Sequence, residues 1–253
     1  MDLELFPRQA GNSRVSPIEN GWRLEIPAGD RHNYRLAQLD DYVLSRRDLR
    51  FLHTPPWQVW LRARVSQPNL PGTWGFGLWN DPFGFALGFG GTSRHIPTLP
   101  QTAWFFHAGE PNWLSLRDGT APGSGFFAGT FRSARIPSPL FIAGVPAIPL
   151  LAWRPSSRWL RRLASRIIHQ DGNLVDVDVT QWHDYSIRWD AGECSFEVDG
   201  QRVLSTPVSP PSPLGLVIWI DNQYARWTPE GRLGYGVLEN PSAWLEIKGL
   251  KVK

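Results

Sequence analysis

Hydrophobic and polar side chains alternate singly along several stretches of this chain, the period-two pattern of strands with one buried face. Trp22, Leu24 and Ile26 alternate with Arg23 and Glu25, and Val59, Leu61, Ala63 and Val65 alternate with Trp60, Arg62 and Arg64. In the last third, Tyr185 to Trp189, Ser195 to Asp199 and Arg202 to Leu204 read as a meander. Asp199-Gly200 supplies the two positive-φ positions of a type I′ hairpin turn. Leu214 to Tyr224 and Trp244 to Val252 add two more strands, and strands do not alternate with helices anywhere.

One segment departs from this pattern. After a proline-punctuated apolar stretch from Ile136 to Trp153, the residues Pro155 to Ile168 put Trp159, Leu160, Leu163 and Ile167 on one helical face behind a serine N-cap. The other side carries Arg158, Arg161, Arg162 and Arg166. Two arrangements are expected of such a helix. Either its apolar face packs on the sheet and the arginines are solvated, or residues 156–168 make peripheral contact with an anionic membrane surface. The longest apolar run, Leu140 to Trp153, is broken by Pro146 and Pro149 and falls short of the roughly 20 residues needed to span a bilayer.

Composition narrows the class. The chain has 253 residues, 42% of them hydrophobic, which is enough for a full core. Its 24 glycines, 23 prolines and 13% aromatics, against only 19% charged residues, favour short strands joined by turns over long helices. The expectation is an all-β chain: a two-sheet antiparallel jelly-roll sandwich forming a single domain over 1–253, with one short helical insertion at about 136–168. Net charge is +3 and the basic side is almost all arginine, since only Lys248, Lys251 and Lys253 are lysines. With no aromatic interleaving of the basic helix, nucleic acid is not an expected partner. Cys194 stands alone and the histidines lack zinc spacing, so neither a disulfide, a metal nor a cofactor is implied. The opening residues, MDLELFPRQAG, do not read as a secretory leader, which makes the cytoplasm the expected location.

A resemblance sharpens the fold expectation. Gln181-Trp-His-Asp-Tyr-Ser-Ile-Arg-Trp189, followed by Cys194-Ser-Phe-Glu-Val-Asp-Gly200, resembles the signature W/F-H-x-Y-x-I-x-W … F-x-V-D-G of concanavalin-A-like lectin and glucanase domains, common in family 16 glycoside hydrolases. Val59 to Val65, Gly72-Thr-Trp74 and the closing stretch Trp244 to Val252 are similar to further strands of that family. The resemblance implies the jelly roll and a glycan ligand. It does not extend to the chemistry: the E-x-D-x-x-E triplet that sets two carboxylates beside the scissile bond is absent, and Leu78-Trp-Asn-Asp81 and Phe105-Phe-His-Ala-Gly-Glu110 each offer one carboxylate.

Candidate site residues come from an uneven distribution of size. Between Thr73 and Asp81, Trp74, Phe76 and Leu78 share one face while Gly75, Gly77, Trp79 and Asp81 share the other, and Phe83 to Gly90 repeats the split. Gly215, Val217, Trp219 and Asp221 line one face of the 214–224 strand. If both strands belong to one concave sheet, two Trp-x-Asp units converge on an aromatic cleft. The ligand-binding candidates are therefore Trp79, Asn80, Trp219, Asn222 and Tyr224, with Trp104 and His107 from a neighbouring segment; Asp81, Asp221 and Glu110 are the candidate acid and base. Asp176 and Asp178 read as an exposed strand edge. The leading expectation is a protein that binds a ring-rich ligand, carbohydrate, in this aromatic cleft, with a divergent glycoside-hydrolase-like activity left open. The alternatives are a non-catalytic lectin-like module binding carbohydrate or another ring-containing molecule, and an intracellular enzyme or carrier for an apolar metabolite such as a lipid, terpenoid or polyketide.

Overall fold

The computed structural model describes residues 3–44, 49–82, 98–117, 119, 121–134 and 150–253. Two seven-stranded antiparallel sheets face one another. The first runs, in spatial order, β1 (Phe6–Ala10), β4 (Leu36–Asp40), β15 (Gly215–Asp221), β8 (Thr73–Trp79), β9 (Thr102–Ala108), β10 (Gly125–Ser133) and β11 (Ile168–Leu174). The second runs β14 (Gln201–Thr206), β13 (Cys194–Val198), β12 (His183–Trp189), β7 (Trp57–Val65), β18 (Ala243–Val252), β3 (Gly21–Ile26) and β2 (Arg14–Ile18). Two small hairpins, β5 (Val43–Leu44) with β6 (Leu49–Arg50) and β16 (Gln223–Trp227) with β17 (Leu233–Val237), stand apart from both. The chain is an all-β jelly-roll sandwich with one α-helix among the described residues, α1 (Arg154–Ile167).

Strand alternation builds the core as the sequence pattern requires. In β7 the inward Trp57, Val59, Leu61, Ala63 and Val65 are buried while Trp60 and Arg62 point out. They meet Trp74, Phe76 and Leu78 of β8 and Leu216, Ile218 and Ile220 of β15 in one cluster. Aromatic edges lock the two layers: Phe105 meets Phe196 at 5.5 Å and 88°, and Phe76 meets Tyr185 at 5.1 Å and 65°. Asp199 and Gly200 take φ of +50° and +75°, the type I′ turn expected between β13 and β14. No described helix is long and apolar enough to cross a membrane.

Three expectations change, and one falls outside the described residues. The 214–224 strand is two elements, because the chain leaves the sheet at Asn222. That buried amide accepts from the Arg35 N–H at 2.9 Å and donates to the Asn33 and Leu238 carbonyls, which fixes a bend and starts β16 as a separate hairpin. Residues 175–182 form no strand. Instead Val175 and Val179 are buried, and Asp178 accepts from the Thr180 N–H and hydroxyl in a local turn. The helix turns the opposite way from a simple apolar-in packing: Ser157 and Arg161 are its buried residues, and Trp159 and Leu163 are exposed. Finally, the second glycine-alternating segment, Phe83 to Gly90, and residues 136–149 of the insertion lie outside the described residues.

The outer face of the first sheet, turned away from the core, owes its form to glycine. On β8 the register sets Gly75 between Trp219 and Phe106, and Gly77 between Val217 and Trp104. A Cβ on Gly75 would sit 2.7 Å from the Trp219 ring and 2.4 Å from the Phe105 carbonyl, so only glycine lets the indole lie down there. Gly75→Ala should therefore destabilise the fold by about 1–3 kcal/mol, the usual cost of overpacking. Gly192→Ala, where nothing lies within 4 Å of the added carbon, should be near neutral. Urea unfolding of the two variants checks this, and equal stabilities would contradict the packing argument.

Candidate functional site

Large side chains laid over these glycines form an aromatic floor. Trp79 and Trp219 lie parallel within 3°, ring centroids 6.1 Å apart. Trp104 joins them, 6.5 Å from Trp79 and 5.5 Å from Trp219, and Phe106 packs against Trp104 at 4.8 Å. The indoles are aimed by hydrogen bonds: Trp79 donates to the Tyr42 hydroxyl at 3.0 Å and Trp219 to the Thr73 hydroxyl at 2.9 Å. Above this floor is a cavity of about 450 Å³, in the range of small-molecule sites.

The cavity walls come from segments that strand periodicity does not reveal. The β16–β17 hairpin contributes Tyr224, Arg226, Leu233 and Tyr235, and the loop after β9 contributes Trp113, Leu114 and Leu116. Asn112 joins the two, its side chain accepting from the Ala225 N–H at 2.9 Å and donating to the Gly109 carbonyl at 2.6 Å. Helix α1 bolts the wall from behind. Buried Arg161 donates to the Trp227 carbonyl at 2.9 Å and the Ser115 carbonyl at 2.7 Å, while the Trp227 indole donates to Ser157 at 2.9 Å. A charged guanidinium is inside because two wall carbonyls need its donors.

Of the sequence candidates, Trp79, Asp81, Trp104, Trp219, Asp221 and Tyr224 all line this cavity. The others do not. His107 faces the core, stacked on Trp74 at 5.4 Å and bonded to the Leu70 carbonyl; burial lowers its pKa. Glu110 is exposed on the turn after β9 and is not a lining residue. Asn80 is spent on Thr98, Leu99 and Gln101, and Asn222 on the bend described above. Cys194 is buried, which pushes its thiol up to about 12 and keeps it unreactive.

The two aspartates differ. Asp221 sits on the floor, one carboxylate oxygen taking the Thr73 hydroxyl at 2.7 Å and the Thr73 and Gln223 N–H groups at 3.2 Å, the other the Tyr34 hydroxyl at 3.3 Å. Burial nevertheless pushes the Asp221 carboxyl up to about 7. Asp81, two residues past β8, is left-handed at φ +45°, and its charge is felt at Tyr34 and Tyr42. Antiparallel pairing runs the two Trp-x-Asp units in opposite directions, with Trp79 opposite Gly215 and Asp221 opposite Thr73. The outward positions of the central strands β8, β9 and β10 are Thr73, Gly75, Gly77 and Trp79, then Thr102, Trp104, Phe106 and Ala108, then Phe127, Gly129, Phe131 and Ser133. These positions hold no carboxylate; the cavity's two are Asp81, just past β8, and Asp221 on β15.

Comparison with known proteins defines the class. No family model matches the chain, and no curated protein matches it. Among solved structures, an endo-β-1,4-glucuronan lyase from the fungus Trichoderma reesei is similar over 98% of this chain and 89% of its own, with 14% identity and a TM-score of 0.50. A glycoside hydrolase family 16 endo-glucanase from Bacteroides ovatus is similar over 95% and 85%, with 9% identity and a TM-score of 0.49. The chain has the concanavalin-A-like jelly-roll fold, and at such identities the likeness is one of fold alone.

The raised Asp221 pKa has a measurable consequence. The folded carboxyl titrates near 7 and an unfolded one near 3.8, so its contribution to stability is most favourable below that lower value and declines as pH rises through 7. Asp221→Asn does not titrate. In urea unfolding the variant should gain on the natural protein between about pH 4.5 and about pH 7.5. A stability difference that does not change with pH would contradict the burial argument.

Proposed function

We propose that the outer-face cavity is a lectin-like binding site for a carbohydrate ring. The observation that carries this reading is the separation of polar from apolar groups around the cavity. Polar groups on the floor are used up inside the protein: Thr73 by Trp219 and Asp221, Asn112 by the hairpin. On β16, by contrast, the side chains of Gln223, Tyr224 and Arg226 make no hydrogen bond among the described residues. Arg226 lies flat over Gly234, whose Cβ would come 2.9 Å from the arginine Nε, and forms no ion pair there. A sugar presents an apolar C–H face and a hydroxyl-bearing edge, matching an indole floor beside a wall of unspent donors. The fold is shared with a glucuronan lyase, which agrees with a glycan ligand without identifying it.

Binding without cleavage is the stronger form of the reading, because the cavity's two acids, Asp81 and Asp221, come from opposite ends of the paired strands β8 and β15 rather than side by side. A second reading, an apolar fused-ring metabolite, is favoured by Leu36, Phe106, Leu114, Leu116 and Phe131, which extend the apolar lining beyond what one stacked sugar needs.

Titration of intrinsic fluorescence with glucurono- and laminari-oligosaccharides, beside a sterol and an anthraquinone, separates the readings. Saturable response to an oligosaccharide is expected. Trp79→Ala and Trp219→Ala should weaken it by about 1–3 kcal/mol through lost apolar contact and stacking. Response to the fused-ring probes alone would establish the second reading, and release of reducing ends would restore a hydrolase. Folded Trp79→Ala protein with unchanged affinity would remove the cavity from consideration.

A further inference from the structure

Among the described residues, the helix that braces the cavity wall leaves an apolar surface uncovered. Of the ten exposed large apolar side chains among the described residues, four lie in and just before α1: Leu150, Trp153, Trp159 and Leu163, between 42 and 67% exposed. Two more, Leu233 and Tyr235, are on β17 at the cavity rim. The hairpin turn touches the helix directly, since a Cβ on Gly231 would lie 2.7 Å from the Arg154 carbonyl and 2.8 Å from Arg158. Six of ten exposed apolar side chains thus gather in one neighbourhood. A grouping of that kind marks an interaction surface, whereas single exposed leucines are ordinary.

Charge identifies what the surface fits. At about 100° per residue, Arg154, Arg158, Arg162 and Arg166 form a stripe along one flank of α1, with Trp159 and Leu163 on the adjoining flank. All four arginines are exposed and none forms an ion pair among the described residues. The helix contains no acidic residue; Glu230, in the neighbouring turn, is the nearby acid and feels Arg232 and Arg161. Because Ser157 and Arg161 are fastened to the body, the helix cannot roll to hide its tryptophans without breaking the bonds to Trp227 and Ser115. Exposed indoles beside a row of guanidinium groups suit the boundary between anionic headgroups and acyl chains.

We propose that α1 and the tip of the β16–β17 hairpin form a docking surface for an anionic lipid bilayer, holding the cavity rim against the headgroups. This goes beyond the carbohydrate reading and does not rest on it.

Sedimentation of the full-length protein with vesicles tests the surface. Vesicles of phosphatidylcholine with phosphatidylglycerol should retain the protein at low salt at least about tenfold better than phosphatidylcholine alone, and the difference should shrink as salt rises, since charge attraction is screened over about 10 Å at 0.1 M. Replacing Arg154, Arg158, Arg162 and Arg166 by Gln should remove the preference for anionic lipid. Trp159→Ser with Leu163→Ser should remove binding while leaving unfolding by urea unchanged, because neither side chain is buried. Equal retention by both vesicle types, or by the natural protein and these variants, would overturn the proposal. So would a concentration-dependent dimer abolished by the same serines, which would assign the surface to a second copy of the chain.

Discussion

The close approach of tryptophan to glycine on the outer face of the first sheet governs this structure. Gly75 and Gly77 leave the middle of β8 without side chains on that face, and the strands on either side fill the space with Trp219 and Trp104. The same device recurs at the end of the sheet, where Tyr42 lies over Gly215 and receives the Trp79 indole N–H. Glycine weakens a strand when nothing replaces its missing contacts. Here the indoles replace them, and a flat apolar floor results that the core on the other side of the sheet does not need.

Polar ties then hold movable segments at fixed places over that floor. Thr73 links the Trp219 indole to the Asp221 carboxyl, so the orientation of the ring and the environment of the acid are set together. Asn222 turns the chain off the sheet, Asn112 holds the emerging hairpin, and Arg161 secures it to the helix. Each is a buried polar group with its partners supplied by backbone that would otherwise lack them. Loss of any one would loosen the wall without touching the floor.

Period-two alternation was sufficient to read the sandwich, because strands with one face in the core must alternate; Val59 to Val65 and the Asp199-Gly200 turn are plain examples. The split of β8 into a large and a small face places Trp79 on the cavity side, and the same split in β15 places Trp219 there. The walls were not legible. Gln223 to Trp227 looks like the continuation of β15 until the hydrogen bonds of Asn222 are known, although the alternation Leu233-Gly-Tyr-Gly opposite Tyr224 and Arg226 is a hairpin signal of its own. His107 lies off the cavity because alternation on β9 sends it into the core, and the helix turns Arg161 inward because that side chain answers to carbonyls distant in sequence. Hydrophobic patterning registers burial, and it misreads a buried cation whose partners are tertiary.

Shared fold and separate chemistry meet in one place. The jelly roll supplies the sheet, and this chain fills the central positions of its outer face with aromatic rings. The proposed site requires those rings to be the surface a ligand touches. Crystals soaked with small sugar and aromatic fragments test that most directly. Fragment density should concentrate against Trp79, Trp104 and Trp219 with polar edges turned to β16; a vacant floor, with fragments seated instead on the outer face of the second sheet beside Trp60 and Arg62, would contradict it.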